Sequence, residues 1–210
     1  MLSLAGSLMF AAGPNDKPAK LEKGFTALFN GKDLTGWTKA KENEESFSVK
    51  DGAIVANGKR CHLYFTGPFK GKEASFKNFE LRVDVMTKPV SNGGIYFHTK
   101  YQETSWPDKG FEVQVNNTHG DWKKTGSLYD VVNVKESAAK DNVWWTQHII
   151  VQGNHVTVKI DGKTVMEYTE PADYKPGKDF PRKISEGTFA LQAHDPKSVI
   201  HYKNIRVKRL

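Results

Sequence analysis

Apolar residues in this chain recur at every second position, and no stretch keeps a 3.6-residue period for twelve residues. A period of two places successive side chains on opposite faces of a strand. In FELRVDV at 79–85, Phe79, Leu81, Val83 and Val85 share one face, while Glu80, Arg82 and Asp84 share the other. HVTVKI at 155–160 repeats the pattern with Val156, Val158 and Ile160 inward. Asp51-Gly52, Gly153-Asn154 and Asp161-Gly162 sit between such runs, and these pairs favour two-residue hairpin turns. Only KESAAKDN at 135–142 predicts a helix, a short one. Many short antiparallel strands predict an all-β chain, a two-sheet antiparallel β-sandwich or jelly roll. Two-layer sheets of this size bend, and the concave face is the natural ligand site.

Composition narrows the function. The single cysteine, Cys61, excludes an internal disulfide framework and a thiolate zinc cage, so the core must come from side-chain packing. The net charge of +7 is evenly divided. Residues 1–105 hold 15 basic and 11 acidic groups, and residues 106–210 hold 16 and 13. Only 5 of the 31 basic residues are Arg, and the densest basic stretch is Lys203, Arg206, Lys208 and Arg209. A nucleic-acid binder would show a basic stripe rich in Arg, so the excess reads as a Lys-rich surface. Met1–Ala12 is apolar, uncharged and rich in small residues, but too short to span a bilayer. It predicts an export signal, although no Lys or Arg precedes Lys17. Residues 14–23 read as a polar linker, which makes 1–23 a signal-like segment with its linker and 24–210 one domain.

Four strands carry unusual polar rows. In GFEVQVNN at 110–117, Glu112, Gln114 and Asn116 line up opposite Phe111, Val113 and Val115. TFALQAHD at 188–195 contributes Gln192 and His194, GGIYFHTK at 93–100 contributes Tyr96 and His98, and SVIHYKNIRV at 198–207 contributes His201 and Lys203. Asn204 and Ile205 mark a shift in the last alternation. If these strands neighbour one another in one sheet, they form a surface of carboxylate, amide, imidazole and ammonium groups suited to sugar hydroxyls. Sugar C–H faces stack on indoles, so Trp106 and Trp122, which flank the Glu112 strand, are candidates for a stacking wall. Trp144 is expected to start a strand and face the core. No nucleophile elbow, P-loop, H-E-x-x-H or dinucleotide fingerprint is present. Cys61 and His62 are adjacent and should point to opposite faces, so they are not a dyad. The seven histidines lack a metal-ligand spacing and no cofactor is required, although a divalent metal held by Glu112 and His194 across strands stays open.

The order of GFTALFNGKDLTGW at 24–37, SNGGIYFH at 91–98, GFEVQV at 110–115, TGSLYD at 125–130, GTFALQAHD at 187–195 and IHYKNIRV at 200–207 resembles the 3-keto-disaccharide hydrolase family. The resemblance implies a concanavalin A-like jelly roll and export from a bacterium. It also implies action on a glycoside whose sugar is oxidised at carbon 3. Glu112 and Gln114 match the family's E-x-Q pair, Gln192 and His194 its L-Q-x-H segment, and Asn204 its R-N-I segment. His98 and Lys203 stand where the family often has Arg. The implied route is elimination followed by hydration. Glu112 or His194 would serve as base, Lys203 or His98 would stabilise the enolate oxygen, and Gln114 and Gln192 would orient hydroxyls. Two other readings use the same residues: a non-catalytic carbohydrate-binding module, and an interaction protein of exported polysaccharide-handling machinery.

Overall fold

The computed structural model of the chain describes residues 21–178 and 180–210. The signal-like segment and most of the linker therefore lie outside the described residues. Among the described residues thirteen strands follow in order: β1 Thr26–Ala27, β2 Trp37–Lys39, β3 Phe47–Lys50, β4 Ala53–Ala56, β5 Cys61–Phe65, β6 Phe79–Thr87, β7 Gly93–Thr99, β8 Phe111–Val115, β9 Trp145–Gln152, β10 His155–Ile160, β11 Lys163–Thr169, β12 Thr188–Ala193 and β13 Ile200–Arg209. They form two antiparallel sheets. The larger runs β11-β10-β9-β6-β13-β4-β3, with β1 also paired to β13, and the smaller runs β2-β5-β12-β7-β8. This is the all-β sandwich that the alternation predicts.

The hairpin chemistry accounts for much of the order. Asp51 and Gly52 both adopt positive φ, 50° and 74°, between the paired residues Lys50 and Ala53. Asp161 and Gly162 do the same between Ile160 and Lys163. Residues 135–142 form no helix. The Ser137 hydroxyl instead bonds Asn117 Oδ1 (2.7 Å), and the Asn142 N–H donates to the Thr87 carbonyl (2.7 Å), so side chains and sheet edges satisfy groups that a helix would have used.

The two sheets differ in what they do with their outward faces. In β6 and β10 buried and half-buried residues alternate strictly, as in a sheet with one wet face. In β5, β7, β8 and β12 every residue is buried. The outward side of the smaller sheet is polar in sequence yet covered by loops. That combination marks it as the face where chemistry can occur, because buried polar groups need specific partners.

β13 lies in the middle of the larger sheet, between β6 and β4, and carries a bulge at Asn204 (φ 50°). The bulge lets the Asn204 amide donate to Asp84 Oδ2 (2.7 Å) and brings Arg206 beside Glu22. Glu22 lies in the segment read as linker. Its carboxylate accepts from Arg206 Nε (2.8 Å), Arg206 Nη2 (3.0 Å) and Arg82 Nη1 (2.9 Å). Chiefly through the Arg206 bond, the Glu22 carboxyl is held down at about 2. Its contribution to stability is therefore present above the ordinary value of 4.5 and is lost as the pH falls toward 2. Glu22→Ala should lower unfolding free energy by about 1 kcal/mol at neutral pH, with the gap to wild type closing in acid. Urea titrations at pH 7 and pH 3 measure both values.

Candidate active site

The site is built on a register. Tyr96 of β7 stands directly opposite Glu112 of β8, and Gly94 stands opposite Gln114. The Tyr96 hydroxyl donates to Glu112 Oε2 (2.7 Å), and Gln192 Nε2 of β12 donates to the same hydroxyl (3.0 Å). Gly94 leaves the space the carboxylate fills. A Cβ there would lie 2.6 Å from Glu112 Cγ and would overlap Oε1 as well. With the Gln114 amide turned so that its nitrogen faces Glu112 Oε1 and the Gly93 carbonyl, each at 3.0 Å, its oxygen accepts from Asn92 at 3.1 Å when the Asn92 amide is turned to present its nitrogen there. Glu112 thus receives a hydrogen bond on each oxygen.

Glu112 is 7% exposed. Burial pushes its carboxyl up to about 7, against the Tyr96 hydrogen bond and the nearby Arg182 charge, which favour ionisation. Burial and the same carboxylate hold the Tyr96 phenol well above its ordinary value, so it remains a donor. Arg182 comes from the loop between β11 and β12. Its Nη1 donates to the Tyr129 carbonyl, and its guanidinium lies 5.4 Å from the centre of the Tyr129 ring.

His194, one residue past β12, supplies an imidazole. Its Nδ1 lies 3.0 Å from Asp195 Oδ2, which also accepts from the Ser198 hydroxyl (2.7 Å). Burial raises the Asp195 carboxyl, but these two bonds outweigh it and leave it below the ordinary range. The Ser198 hydroxyl in turn accepts from the Asn92 N–H (2.8 Å). His194 Nε2 makes no hydrogen bond among the described residues. The ring packs 5.6 Å from the Trp106 indole. Tyr96, Trp106, Glu112, Gln114, Gln192 and His194 all line one open cavity of about 320 Å³, with Asn92, Asp130 and Arg182 also at its walls. Asp130 is paired with Lys123 (2.6 Å).

Other expected site residues lie elsewhere. Lys203 and His201 are on β13, hence on the larger sheet, where the Lys203 ammonium sits 4.0 Å over Trp144 and His201 packs edge-on to the same ring. Residues 200–203 do alternate buried and half-buried, but alternation does not say which sheet a strand joins. His98 has φ 56°, and the pairing of β7 with β12 slips by one residue there. This bulge turns the ring out of the Tyr96 row. Its Nδ1 accepts from the Ser185 N–H (3.2 Å), which leaves Nε2 to donate to the Lys77 carbonyl (2.9 Å). Burial lowers His98 to about 4, so it is a neutral structural bridge. Asn116 is fully buried and spends its amide on the Asp121 and Lys123 carbonyls (2.9 Å each), fixing the loop beyond β8. Trp122 is 53% exposed and outside the cavity wall. Trp145, not Trp144, faces the core, a one-residue slip that exchanges faces. Sequence reasoning missed Arg182, which sits in a loop without periodicity, and Asn92, in the turn before β7. Among the described residues no group of three or more His, Cys, Asp or Glu side chains is arranged to hold a metal ion.

Residues 24–208 match the family model of the 3-keto-alpha-glucoside-1,2-lyase-like domain. The chain belongs to this family. A solved structure of a candidate glycosyl hydrolase from Parabacteroides distasonis ATCC 8503 is similar to this lyase-like domain, at 24% identity and a TM-score of 0.73 over 89% of this chain and 94% of that one. The carbohydrate-binding module CBM66 from Bacillus subtilis (14% identity, TM-score 0.59, 83% and 96% covered) shares the fold. So does SCLam, a non-specific endo-beta-1,3(4)-glucanase of family GH16 (12% identity, TM-score 0.55, 92% and 95% covered). None of the curated proteins matches the chain.

A buried carboxyl raised from 4.5 to about 7 disfavours the folded state wherever the unfolded chain is ionised. The cost is absent below 4.5, grows between 4.5 and 7, and is complete above 7, where it reaches about 3 kcal/mol. Glu112→Gln in the lyase-like domain should therefore raise Tm by about 5–10 °C at pH 8.5 and by little at pH 4. Differential scanning calorimetry at the two pH values gives the comparison.

Proposed function

We propose that the chain cleaves glycosides oxidised at carbon 3, by elimination across carbons 1 and 2 and then hydration. The observation that carries this reading is the geometry of Glu112, a buried carboxyl held by the Tyr96 hydroxyl in the wall of an open cavity that also holds Arg182 and His194; burial pushes that carboxyl up to about 7. A ketone at carbon 3 acidifies the proton on carbon 2. Glu112, ionised above about 7, takes that proton, and the electron pair moves into an enolate on the carbon-3 oxygen. The enolate then expels the aglycone oxygen from carbon 1, leaving an enone. Water adds to carbon 1, a proton returns to carbon 2, and the free 3-keto sugar results.

The site supplies each further part. Among the described residues Arg182 brings a guanidinium to the cavity, and a guanidinium suits an oxyanion. It takes the role expected of Lys203 or His98. His194, oriented by Asp195, offers Nε2 to protonate the leaving oxygen and later to activate water. Tyr96 and Gln114 fix the Glu112 carboxylate, and Gln192 holds Tyr96. The cavity is at the small end of ligand pockets, enough for one sugar ring. The apolar Met1–Ala12 segment fits the same reading, as the export signal of a protein that meets its substrate outside the cytoplasm.

Incubation with p-nitrophenyl 3-keto-α-glucoside and with its unoxidised parent tests the reaction. Nitrophenol should be released from the keto compound only, with kcat/KM rising to a plateau through about pH 7. Glu112→Gln should lower kcat by about 10²-fold or more, and Arg182→Met by a comparable factor. Sugar binding without product from the wild-type chain would make it a binding module instead.

A further inference from the structure

The polar floor does not end where the open cavity does. Gln114, Gly94, Gln192 and His62 form a row across β8, β7, β12 and β5, because Gly94 pairs with Gln114 and Gln192 pairs with His62. Tyr64 stands opposite Ala190 on the same face. With strands about 4.8 Å apart, the row is about 14 Å wide. That is room for two sugar rings side by side, whereas the open cavity suits one.

The β5 end of the row is capped by Trp106. His62 packs edge-on to the indole at 5.6 Å and to the Tyr96 ring at 5.4 Å. His62 is fully buried, yet neither ring nitrogen has a hydrogen-bond partner among the described residues, and the Tyr64 hydroxyl and Gln192 Oε1 are likewise without one. Buried polar groups are rarely left so, and four such atoms on one patch of floor point to a polar occupant. Burial lowers His62 to about 3, so the ring is neutral and offers one N–H donor and one acceptor. Neighbouring hydroxyls of a sugar supply the matching acceptor and donor.

The cap comes from a loop, not from the sheet. Trp106 lies in the loop between β7 and β8 rather than on a strand, and its backbone is held there by Gln102 Nε2 (2.9 Å). The Arg60 guanidinium, itself bound by Glu42, lies 5.2 Å from the indole centre. We infer that the floor beneath Trp106 is a second, covered sugar subsite, in which His62 and Tyr64 bind hydroxyls of the aglycone ring once the indole turns aside. This rests on the glycoside reading above and assigns to His62 and Tyr64 of this chain the hold on an aglycone sugar, a group that simple alkyl glycosides lack.

The test compares methyl 3-keto-α-glucoside with 3-keto-trehalose on the full chain. His62→Phe keeps the ring's shape and removes its nitrogens. It should raise KM for 3-keto-trehalose about tenfold and leave both constants for the methyl glycoside unchanged. Long-range ¹H–¹⁵N spectra of the His62 ring in the Glu112→Gln protein give a second reading that does not depend on the variant at 62 folding. The unprotonated nitrogen should shift on saturation with 3-keto-trehalose and stay in place with the methyl glycoside. Equal effects on the two ligands, or a His62 ring unmoved by saturating 3-keto-trehalose, would overturn the subsite while leaving the reaction intact. If wild type neither binds nor turns over either ligand, the glycoside reading itself falls and the subsite falls with it.

Discussion

The Tyr96–Glu112 hydrogen bond, set in a gap that only a glycine leaves open, is the contact around which the smaller sheet is arranged. A carboxylate in a low-dielectric interior is unfavourable unless it is hydrogen-bonded. Here one oxygen takes the Tyr96 hydroxyl and the other faces the Gln114 amide, while Gln192 fixes Tyr96 from the next strand. Three strands must hold their register for this network to exist. The absence of a side chain at Gly94 is what lets the carboxylate lie flat against β7. Burial and hydrogen bonding pull its proton affinity in opposite directions, and burial wins.

Loops complete what the register begins. The segment between β7 and β8 brings Trp106, the one between β11 and β12 brings Arg182, and the turn after β12 orients His194 on Asp195. The larger sheet, by contrast, keeps an ordinary outer face of ion pairs, such as Glu80 with Lys208 and Arg82. Its role toward the site is mechanical: it supplies the other half of the core against which the smaller sheet is pressed.

Much of this was legible in the chain. Period-two alternation identified the strands, Asx-Gly pairs located two hairpins, and the polar rows of 112–114 and 192–194 do meet at one cavity. What was not legible has physical causes. Alternation reads the same in either sheet, so Lys203 and His201 could not be separated from Tyr96 by pattern. A single residue in left-handed conformation at His98 reversed its face, and flanking glycines permit it. A Cβ on Gly187 would lie 2.6 Å from the His98 carbonyl carbon, and one on Gly110 2.8 Å from it. Arg182 acts from a loop, where spacing carries no signal. Adjacency makes His62 and Cys61 an unsuitable pair, yet the same alternation that separates the two places His62 on the polar floor.

The proton affinity of Glu112 is the quantity on which the account turns, because it decides whether a buried carboxylate can serve as a base near neutral pH. A ¹³C NMR titration of glutamate-labelled protein, with the Glu112 signal identified by its loss in Glu112→Gln, measures it directly. The account predicts a midpoint near 7. A midpoint at or below the ordinary 4.5 would contradict it, because the carboxylate would then be an unperturbed structural anion rather than a tuned base.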